Sequence, residues 1–449
     1  MVLRTSLHVR AASSRRGVSS LLVFGAALGA FACGSQEPSG PVSDVAGPTV
    51  AAVPNSPSSV QAPVPAARPV PAATPEPVPL TVQPGGSLEM NFGFLADVAT
   101  VERAQDAYEF WKERYLIECP NDVYRVAFDL PSQTVSEGIA YGMLLSAYHE
   151  DQAVFDGLWQ YYINASNDDG IMHWKRAGCE ATNEQGAGEN WNNGASDAEL
   201  DAAMALIKAS CTWPNNGRHD YAAAATNLIE QIERFETVRI GEFGRMLRPG
   251  SAFGGLSCLN YSYFAPGYYR TFADYVPERA DFWNEMAVDA YSLIARGTHP
   301  ETGLVPNWAH ADGTTAVSCD WFTNHEAYGW DAVRTPWRVA LDYLWHGTPE
   351  AKAFIDKITG WVDSDLGGLP ELRSQHRLDG SQLVGSRSAA ATGGMAVAGM
   401  VLSKEKADEY LGHFANTEVT GYFSTTLNAL YWLSASGKFT HDCSAVSYP

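Results

Sequence analysis

Helical periodicity runs through nearly the whole chain after residue 84 and restricts the fold more than any other feature. Apolar residues recur three and four positions apart in segments of ordinary helix length. These segments predict twelve helices that begin near residues 97, 137, 152, 197, 220, 262, 278, 331, 349, 387, 404 and 425. The loops between them are rich in Gly, Asn, Asp and Trp, so strands are short at best. Because no fixed sequence period is visible, we predict an all-α toroid of helical hairpins, not an open solenoid.

The first 33 residues have the pattern of an export signal. Arg4, Arg10, Arg15 and Arg16 precede an apolar run at 21–32, which is too short to span a bilayer as a lasting helix. Cys33 follows small residues, at the place where a bacterial lipoprotein carries its lipidated cysteine. We therefore predict that the protein is exported and attached to the cell surface or outer membrane through Cys33. Ordinary cleavage and secretion is the alternative.

Residues 34–84 differ in composition from the rest of the chain. They are mainly Pro, Ala, Val and Ser with few charges, which predicts an extended, disordered linker. Residues 85–449 then form the folded domain, with six cysteines and no CxxC pair. In an oxidising compartment these predict up to three structural disulfides, whose pairing cannot be read from spacing: Cys119, Cys179, Cys211, Cys258, Cys319 and Cys443.

The charge of the chain excludes one class of partner. It has 51 acidic and 30 basic side chains, a formal net charge of -21, which repels the phosphates of nucleic acids. The histidines have no HxxH or HExxH spacing, so we expect no metal and no other cofactor. We expect a monomer.

Two predicted helices begin with a serine followed by an acidic residue. Glu137 follows Ser136 in "SEGIAYGM", and Ser136 is predicted to be the N-cap. In "ASDAELDAAMALIKASCTW", Ser196 and Glu199 fit an S-x-x-E capping box, which accounts for Glu199. An acid in a first turn also stabilises the helix dipole, so a purely structural role for Glu137 is the plain alternative to a functional one.

Two further carboxylates occupy similar positions. Asp197 lies beside the predicted capping box, and Asp331 precedes a helix in "EAYGWDAVRTPWRVALDYLW", where Pro336 is tolerated only in a first turn. Inner helices of a toroid all begin at one rim. The carboxylates of Glu137, Asp197 and Asp331 are therefore predicted to converge on one cleft.

The same segments resemble glycoside hydrolase family 8. The segment "ASDAELDAAMALIKASCTW" is similar to the family's pattern, which begins Ala, Ser or Thr, Asp, Gly or Ala, Asp and closes with an aromatic residue. It departs from the pattern at Glu199, where Asp is usual, and at Ala202, where Ile or Met is usual. "SEGIAYGM" resembles the family's "SEGQGYGM", and "WDAVRTPWR" its "YDAxRxPWR". The resemblance covers about residues 90–440. It implies an (α/α)6 barrel that hydrolyses β-1,4-linked glycans with inversion, with 85–449 as the catalytic domain.

The resemblance also implies a role for each residue. Glu137 corresponds to the general acid, Asp331 to the general base that activates water, and Asp197 to the acid that holds the sugar at the cleavage point. Inversion requires carboxyl groups about 6.5–9.5 Å apart, to leave room for the water. Asp197 and apolar packing are expected to raise the pKa of Glu137. Arg334 is expected to lie in the substrate-binding site and to keep Asp331 ionised.

Sugar binding is expected to use aromatic residues in loops, where rings are partly exposed. Trp174 and Tyr263 correspond to a stacking tryptophan and a cleft tyrosine of the family. Trp191 and Trp330 are hypotheses, with loop packing as the alternative.

Members of the family act on cellulose, mixed-linkage β-glucan, xylan or chitosan, so the resemblance alone leaves the substrate open. The position of Asp331 resembles the cellulase and xylanase branch, so we predict an endo-β-1,4-glucanase, with a xylanase as the second choice. Chitosan is cationic and would be attracted to the acidic protein. A glycan-binding lipoprotein without activity and a polysaccharide lyase are alternatives from other classes.

Overall fold

The structure is a computed structural model that describes residues 92–183, 192–252, 254–315, 319, 324 and 326–441. The predicted export signal, the linker, Trp191 and Cys443 lie outside the described residues. Within the described part of the chain, no helix has the length and apolar character needed to cross a membrane.

Twelve α-helices are present in the described residues, and each begins within four residues of its predicted start. They are α1 (Val101–Tyr115), α2 (Ser136–Tyr148), α3 (Gln152–Asn164), α4 (Ser196–Thr212), α5 (Tyr221–Gln231), α6 (Pro266–Tyr275), α7 (Ala280–Gly297), α8 (Thr335–His346), α9 (Pro349–Trp361), α10 (Ala389–Gly399), α11 (Lys404–Phe414) and α12 (Gly421–Ala435).

The even-numbered helices form a closed inner ring. Helix α2 packs against α4, and the contacts continue through α6, α8, α10 and α12 back to α2. Each odd-numbered helix from α3 to α11 packs outside the inner helix that precedes it, and α1 packs outside α12. The fold is therefore an (α/α)6 barrel, as predicted.

Burial explains why the helices divide in this way. Every residue of α10 is buried, and Glu137 is the one residue of α2 that is not. In contrast, α1 and α11 each bury only four residues along one face. A helix that is apolar on all sides is stable only when it is enclosed, whereas a one-sided helix can face solvent.

Short strands connect the helices at their ends. Four antiparallel pairs occur in the described residues: β1 (Leu116–Cys119) with β2 (Val123–Val126), β3 (Gln133–Val135) with β4 (Lys175–Ala177), β5 (Thr237–Ile240) with β6 (Gly244–Leu247), and β7 (Gln375–His376) with β8 (Gln382–Val384). The pairing of β3 with β4 brings Trp174, which precedes β4, to the start of α2.

Disulfides hold some of these connections. Cys119 at the end of β1 is bonded to Cys179 after β4, and Cys258 is bonded to Cys319 between two loops. Cys211 is disulfide-bonded as well.

The predicted side-chain caps of α2 and α4 are wrong. Val135 and Ala195 occupy the N-cap positions, and neither helix has a side-chain cap. Ser136 N instead donates to the carbonyl of Trp174 at 2.8 Å, and Ser196 Oγ donates to the carbonyl of Arg248 at 2.6 Å. Both helix starts are covered by neighbouring chain, and these tertiary hydrogen bonds replace the local ones.

The helix predicted near residue 262 also begins later. Tyr261–Tyr263 forms a single 3₁₀ turn, and α6 begins at Pro266, whose fixed φ suits a first helical turn.

Candidate active site

The three predicted carboxylates lie at the beginnings of three inner helices. Glu137 is in the first turn of α2, and Asp197 is in the first turn of α4. Asp331 precedes a 3₁₀ turn at Ala332–Arg334, which leads into α8, and Pro336 lies in the first turn of α8 as predicted.

Arg334 joins all three carboxylates. Its Nη1 donates to Glu137 Oε2 at 2.7 Å and to Asp197 Oδ2 at 2.8 Å. Its Nη2 donates to Asp331 Oδ1 at 3.1 Å, so the predicted convergence is confirmed. Only 1% of the Arg334 side chain is exposed. A planar guanidinium has enough donors at fixed angles to hold three acids at once, which an ammonium group would not do with the same geometry.

This bridge limits the distance between Glu137 and Asp331. The two terminal nitrogens of one guanidinium are about 2.3 Å apart because the group is planar and rigid. With hydrogen bonds of 2.7 and 3.1 Å on either side, the bridged oxygens lie within about 8 Å of each other.

Solvent exposure distinguishes the three acids. The side chains of Glu137 and Asp331 are 19% and 24% exposed, whereas that of Asp197 is 2% exposed. Asn307 fixes the backbone at Asp331, because its Oδ1 accepts hydrogen bonds from the N–H groups of Asp331 and Ala332 at 3.1 and 3.0 Å. Two of the acids are therefore open to water or substrate, and the third lies beneath them.

The charges at the site are unbalanced, since three carboxyl groups share one guanidinium. Burial raises the pKa of Glu137, and Arg334 and the hydroxyl of Tyr422 act in the opposite direction. Burial likewise raises the pKa of Asp197 to about 7, against the attraction of Arg334. The pKa of Glu137 is raised as expected, with burial as the largest cause, and the negative charges that add to the shift are those of Asp331 and Asp201, where Asp197 was expected. Burial therefore favours the protonated forms of Glu137 and Asp197 more than is usual for carboxyl groups.

Tyr422 is a site residue that the sequence did not reveal. It lies in the first turn of α12, and its hydroxyl donates to Glu137 Oε1 at 3.1 Å. Gly138 provides the space, because a Cβ there would be 2.7 Å from the Tyr422 oxygen. The glycine after Glu137 is the signal that a bulky group packs against this turn.

Other contacts to Arg334 also come from distant segments. Tyr141 OH and Ser262 Oγ accept hydrogen bonds from its two terminal nitrogens at 3.1 and 3.0 Å. The guanidinium lies 5.2 Å from the ring centre of Tyr263 and 5.8 Å from that of Phe423. Tyr263, predicted as a cleft residue, thus borders the cluster of acids.

The remaining predicted aromatic residues have different surroundings. Trp174 is partly buried, and its backbone pairs with Ser136 and Asn193 beside the start of α2. Trp330 is 54% exposed, and its ring lies edge-on to Phe423 at 6.5 Å. Trp191 is outside the described residues. Among the described residues, no group of His, Cys, Asp and Glu has an arrangement that could hold a metal ion.

Known proteins are similar to this chain in sequence and in fold. The family model for glycosyl hydrolases family 8 matches residues 87–437. Endoglucanase 2 of Ruminiclostridium josui is 33% identical over 349 residues, which cover 76% of this chain and 72% of that protein. The reducing-end xylose-releasing exo-oligoxylanase Rex8A of Paenibacillus barcinonensis is 29% identical over 245 residues, 51% of this chain and 58% of that protein.

A solved structure agrees at the level of the fold. The apo structure of a beta-1,3-1,4-glucanase from Paenibacillus sp. X4 superposes with a TM-score of 0.70 at 22% identity, covering 78% of this chain and 96% of that one. The family match extends over the barrel and includes the three acids joined by Arg334. The chain belongs to glycoside hydrolase family 8 and is a glycoside hydrolase.

Proposed function

We propose that the protein is an endo-β-1,4-glucanase that cleaves its substrate with inversion at the anomeric carbon. The observation that carries this proposal is the arrangement around Arg334. One buried guanidinium holds Glu137 and Asp331, both partly exposed, with the buried Asp197 beside them. A purely glycan-binding protein would not need carboxylates held in this way.

Glu137 acts as the general acid. It donates a proton to the glycosidic oxygen as the bond to the anomeric carbon breaks, and burial favours its protonated form by raising its pKa. Tyr422 holds the other carboxyl oxygen and so fixes the direction of the proton.

Asp331 acts as the general base. Its Oδ1 is bound to Arg334, and its backbone is fixed by Asn307, so the carboxylate is held in place to take a proton from an attacking water. The family resemblance assigns Asp197 the role of holding the sugar at the cleavage point; because its side chain is only 2% exposed, this role requires that substrate binding opens access to it. Attack by water on the opposite face from the leaving group gives the α-anomer from a β-linked glycan.

The separation of the two acids is compatible with this mechanism. The upper limit of about 8 Å set by the Arg334 bridge admits the lower part of the about 6.5–9.5 Å range of inverting enzymes. The about 5–5.5 Å of retaining enzymes also falls below that limit. The configuration of the first product therefore decides between the two mechanisms.

The names of the relatives support a glucan substrate. Endoglucanase 2 of R. josui aligns over most of both chains. Xylan is the second candidate, supported by the resemblance to the exo-oligoxylanase Rex8A over a shorter region. Chitosan is the third candidate substrate, because a polycation is attracted to a chain of net charge -21.

The test is the release of reducing ends from carboxymethylcellulose, mixed-linkage β-glucan, xylan and chitosan. We expect the β-glucans to be hydrolysed fastest, with an early fall in viscosity that indicates internal cleavage. Proton NMR of the fresh hydrolysate should show the α-anomer first. Faster hydrolysis of xylan or chitosan would overturn the substrate, and the β-anomer as first product would overturn inversion.

Export and surface attachment are part of the proposal. They are supported by the signal pattern of residues 1–33, by Cys33 and by the Pro-rich segment 34–84. Expression of the full chain in a bacterium followed by fractionation and mass spectrometry of the N-terminus tests this. We expect a lipid-modified Cys33 in the membrane fraction, and an intact residue 1 in the cytoplasm would overturn it.

A further inference from the structure

Two buried acids beneath the site have no place in the mechanism above. Glu199 lies in the first turn of α4, two residues beyond Asp197, and Glu236 ends the single π-helical turn Ile232–Glu236 that follows α5. Both side chains are 0% exposed. A fully buried carboxylate is costly unless it is paired or hydrogen-bonded, so each requires an explanation.

The hydrogen bonds around this pair are incomplete. Tyr162 OH donates to Glu199 Oε1 at 3.0 Å. Glu199 Oε2 and both carboxyl oxygens of Glu236 have no donor among the described residues. The π-helical turn that carries Glu236 packs against α4, and Glu199 is among the causes that raise the pKa of Glu236, so the two carboxyl groups are neighbours. Since an ionised carboxylate can only accept, a hydrogen bond between them requires a proton on one of the two groups.

The pair supports the chain that enters α4. Glu236 Oε1 lies against Gly194, where a Cβ would be 2.8 Å from that oxygen and 2.4 Å from Ile171 Cγ2. Asn193, the residue before Gly194, accepts a hydrogen bond from Trp174 N at 2.7 Å through its carbonyl. Along the chain, Gly194 is followed within three residues by Asp197. A displacement of the pair is therefore passed to both Trp174 and Asp197.

The groups that face the pair come from α4 itself and from two other segments. Asp197 adds a negative charge from α4, Tyr162 contributes its hydroxyl from α3, and Arg248 after β6 is the opposing positive charge. Burial raises the pKa of Glu199 to about 8. Burial, together with the charge of Glu199, raises the pKa of Glu236 well above its usual range. A proton is therefore retained at neutral pH and lost under alkaline conditions.

We propose that Glu199 and Glu236 share one proton and act as positioning residues that hold the entry to α4, and with it Asp197 and Trp174, in the active arrangement. When the proton is lost, two adjacent buried charges repel each other and the entry to α4 moves. The positioning effect on turnover rests on the role proposed above for Asp197, whereas the shared proton does not.

The test is the substitution Glu236→Gln, with Glu230→Gln as the matched control. The glutamine keeps the shape of the side chain and supplies a permanent N–H donor to Glu199, so no proton is needed. Glu230 lies in the same stretch of chain on α5, but its side chain is exposed. Melting temperature and kcat/KM are measured for all three proteins from pH 6 to pH 10, on whichever polysaccharide the wild type cleaves.

For the wild type we expect both quantities to fall at the alkaline end of this range. The pKa values of Glu199 and Glu236 are both raised, so the two buried charges are present together only under alkaline conditions. The wild-type kcat/KM at pH 10 should therefore be clearly below its value at pH 7. Between pH 8 and pH 10, above the range in which Asp197 loses its proton, Glu236→Gln should lose clearly less kcat/KM and less melting temperature than the wild type. Glu230→Gln should follow the wild type.

Three results would overturn the proposal. If the melting temperature of Glu236→Gln falls with pH as in the wild type, the pair shares no proton. If the melting temperature is protected but kcat/KM declines as in the wild type, the pair does not position the site. If Glu236→Gln fails to fold, infrared spectra of the wild type and of Glu199→Gln decide: at pH 7 the band of protonated carboxylic acids should be weaker in the variant, and equal bands exclude the shared proton. The melting and infrared results do not depend on the substrate or on inversion.

Discussion

Helices α4 and α8 form two layers of charged residues that are one helical turn apart and differ in their charge balance. We define the first layer as Arg334 with Glu137, Asp197 and Asp331. The second layer is Arg338 with Asp201, each four residues further along its helix. Arg338 Nη1 and Nη2 donate to the two oxygens of Asp201 at 2.6 and 2.5 Å, and both side chains are buried.

The difference in charge balance distinguishes the layer that takes part in catalysis from the layer that stabilises the fold. The second layer has one positive and one negative charge with bidentate geometry, so it is electrically balanced and closed to solvent. The first layer has three acids for one guanidinium, and two of them are partly exposed. The excess of acid keeps a proton available near neutral pH, which a balanced pair would not do.

The largest expected effect is a loss of turnover in the first layer. Glu137→Gln keeps the shape of the side chain and its contact with Arg334, but it removes the proton that is transferred. We expect kcat to fall about 10²–10⁴-fold, the usual contribution of general acid catalysis. Circular dichroism and melting temperature should change little. A near-normal rate in a folded variant would remove Glu137 from the mechanism.

The next effect is a loss of stability in the second layer. Asp201→Asn leaves the buried charge of Arg338 without its partner, and we expect the free energy of unfolding to fall by about 3 kcal/mol. The matched variant in the first layer is Asp197→Asn, which leaves Arg334 with two carboxylates. It should be at least as stable as the wild type, yet less active. Denaturant unfolding of both variants measures this, and equal losses of stability would mean that the two layers do not differ.

These layers also show how far the sequence predicts the molecule. Helical periodicity located all twelve helices, because each inner or outer helix carries its apolar pattern locally. The family pattern placed Glu137, Asp197 and Asp331 together. Asp201 and Arg338 lie within the same quoted segments at four-residue spacing. Their pairing was missed, because a sequence does not show that two helices 137 residues apart face each other.

The errors come from tertiary contacts that replace local ones. Ser136 and Ser196 have the residue type of an N-cap, yet their environment is buried and neighbouring backbone takes part in the hydrogen bonds instead. Glu199 was explained as half of a capping box, whereas its carboxyl group bonds to Tyr162 from α3. Asn307 lies in a loop without periodicity, so only the structure reveals that it supports Asp331.

A smaller effect is a pH dependence of stability that belongs to the first layer alone. The pKa of Asp197 is raised from 3.8 to about 7 in the folded protein, chiefly by burial. The folded state therefore binds this proton more tightly than the unfolded state. The stability contributed by Asp197 is complete below about pH 4 and is lost as the pH rises through 7. The wild type should accordingly lose melting temperature relative to Asp197→Asn across this range. Parallel curves would show that Asp197 is not buried with a raised pKa.

The smallest expected effect concerns two tryptophans, one beside each layer. Trp330 precedes Asp331 and is 54% exposed, whereas Trp337 precedes Arg338, is buried, and donates from Nε1 to Ser434 Oγ at 2.9 Å. A sugar can stack only on the exposed ring, and an aromatic contact is worth about 0.5–1.5 kcal/mol. Trp330→Ala should therefore raise KM for the polysaccharide about fivefold and leave kcat and melting temperature unchanged.

Trp337→Phe should have the opposite profile. It removes a buried hydrogen bond and leaves Ser434 without this donor, at a cost of about 1–3 kcal/mol of stability, while KM stays the same. Initial rates over a range of polysaccharide concentrations and thermal unfolding of both variants are sufficient to test this. If Trp330→Ala lowers the melting temperature and leaves KM unchanged, its contact with Phe423 serves packing, and the exposed side of the first layer does not bind sugar through this ring.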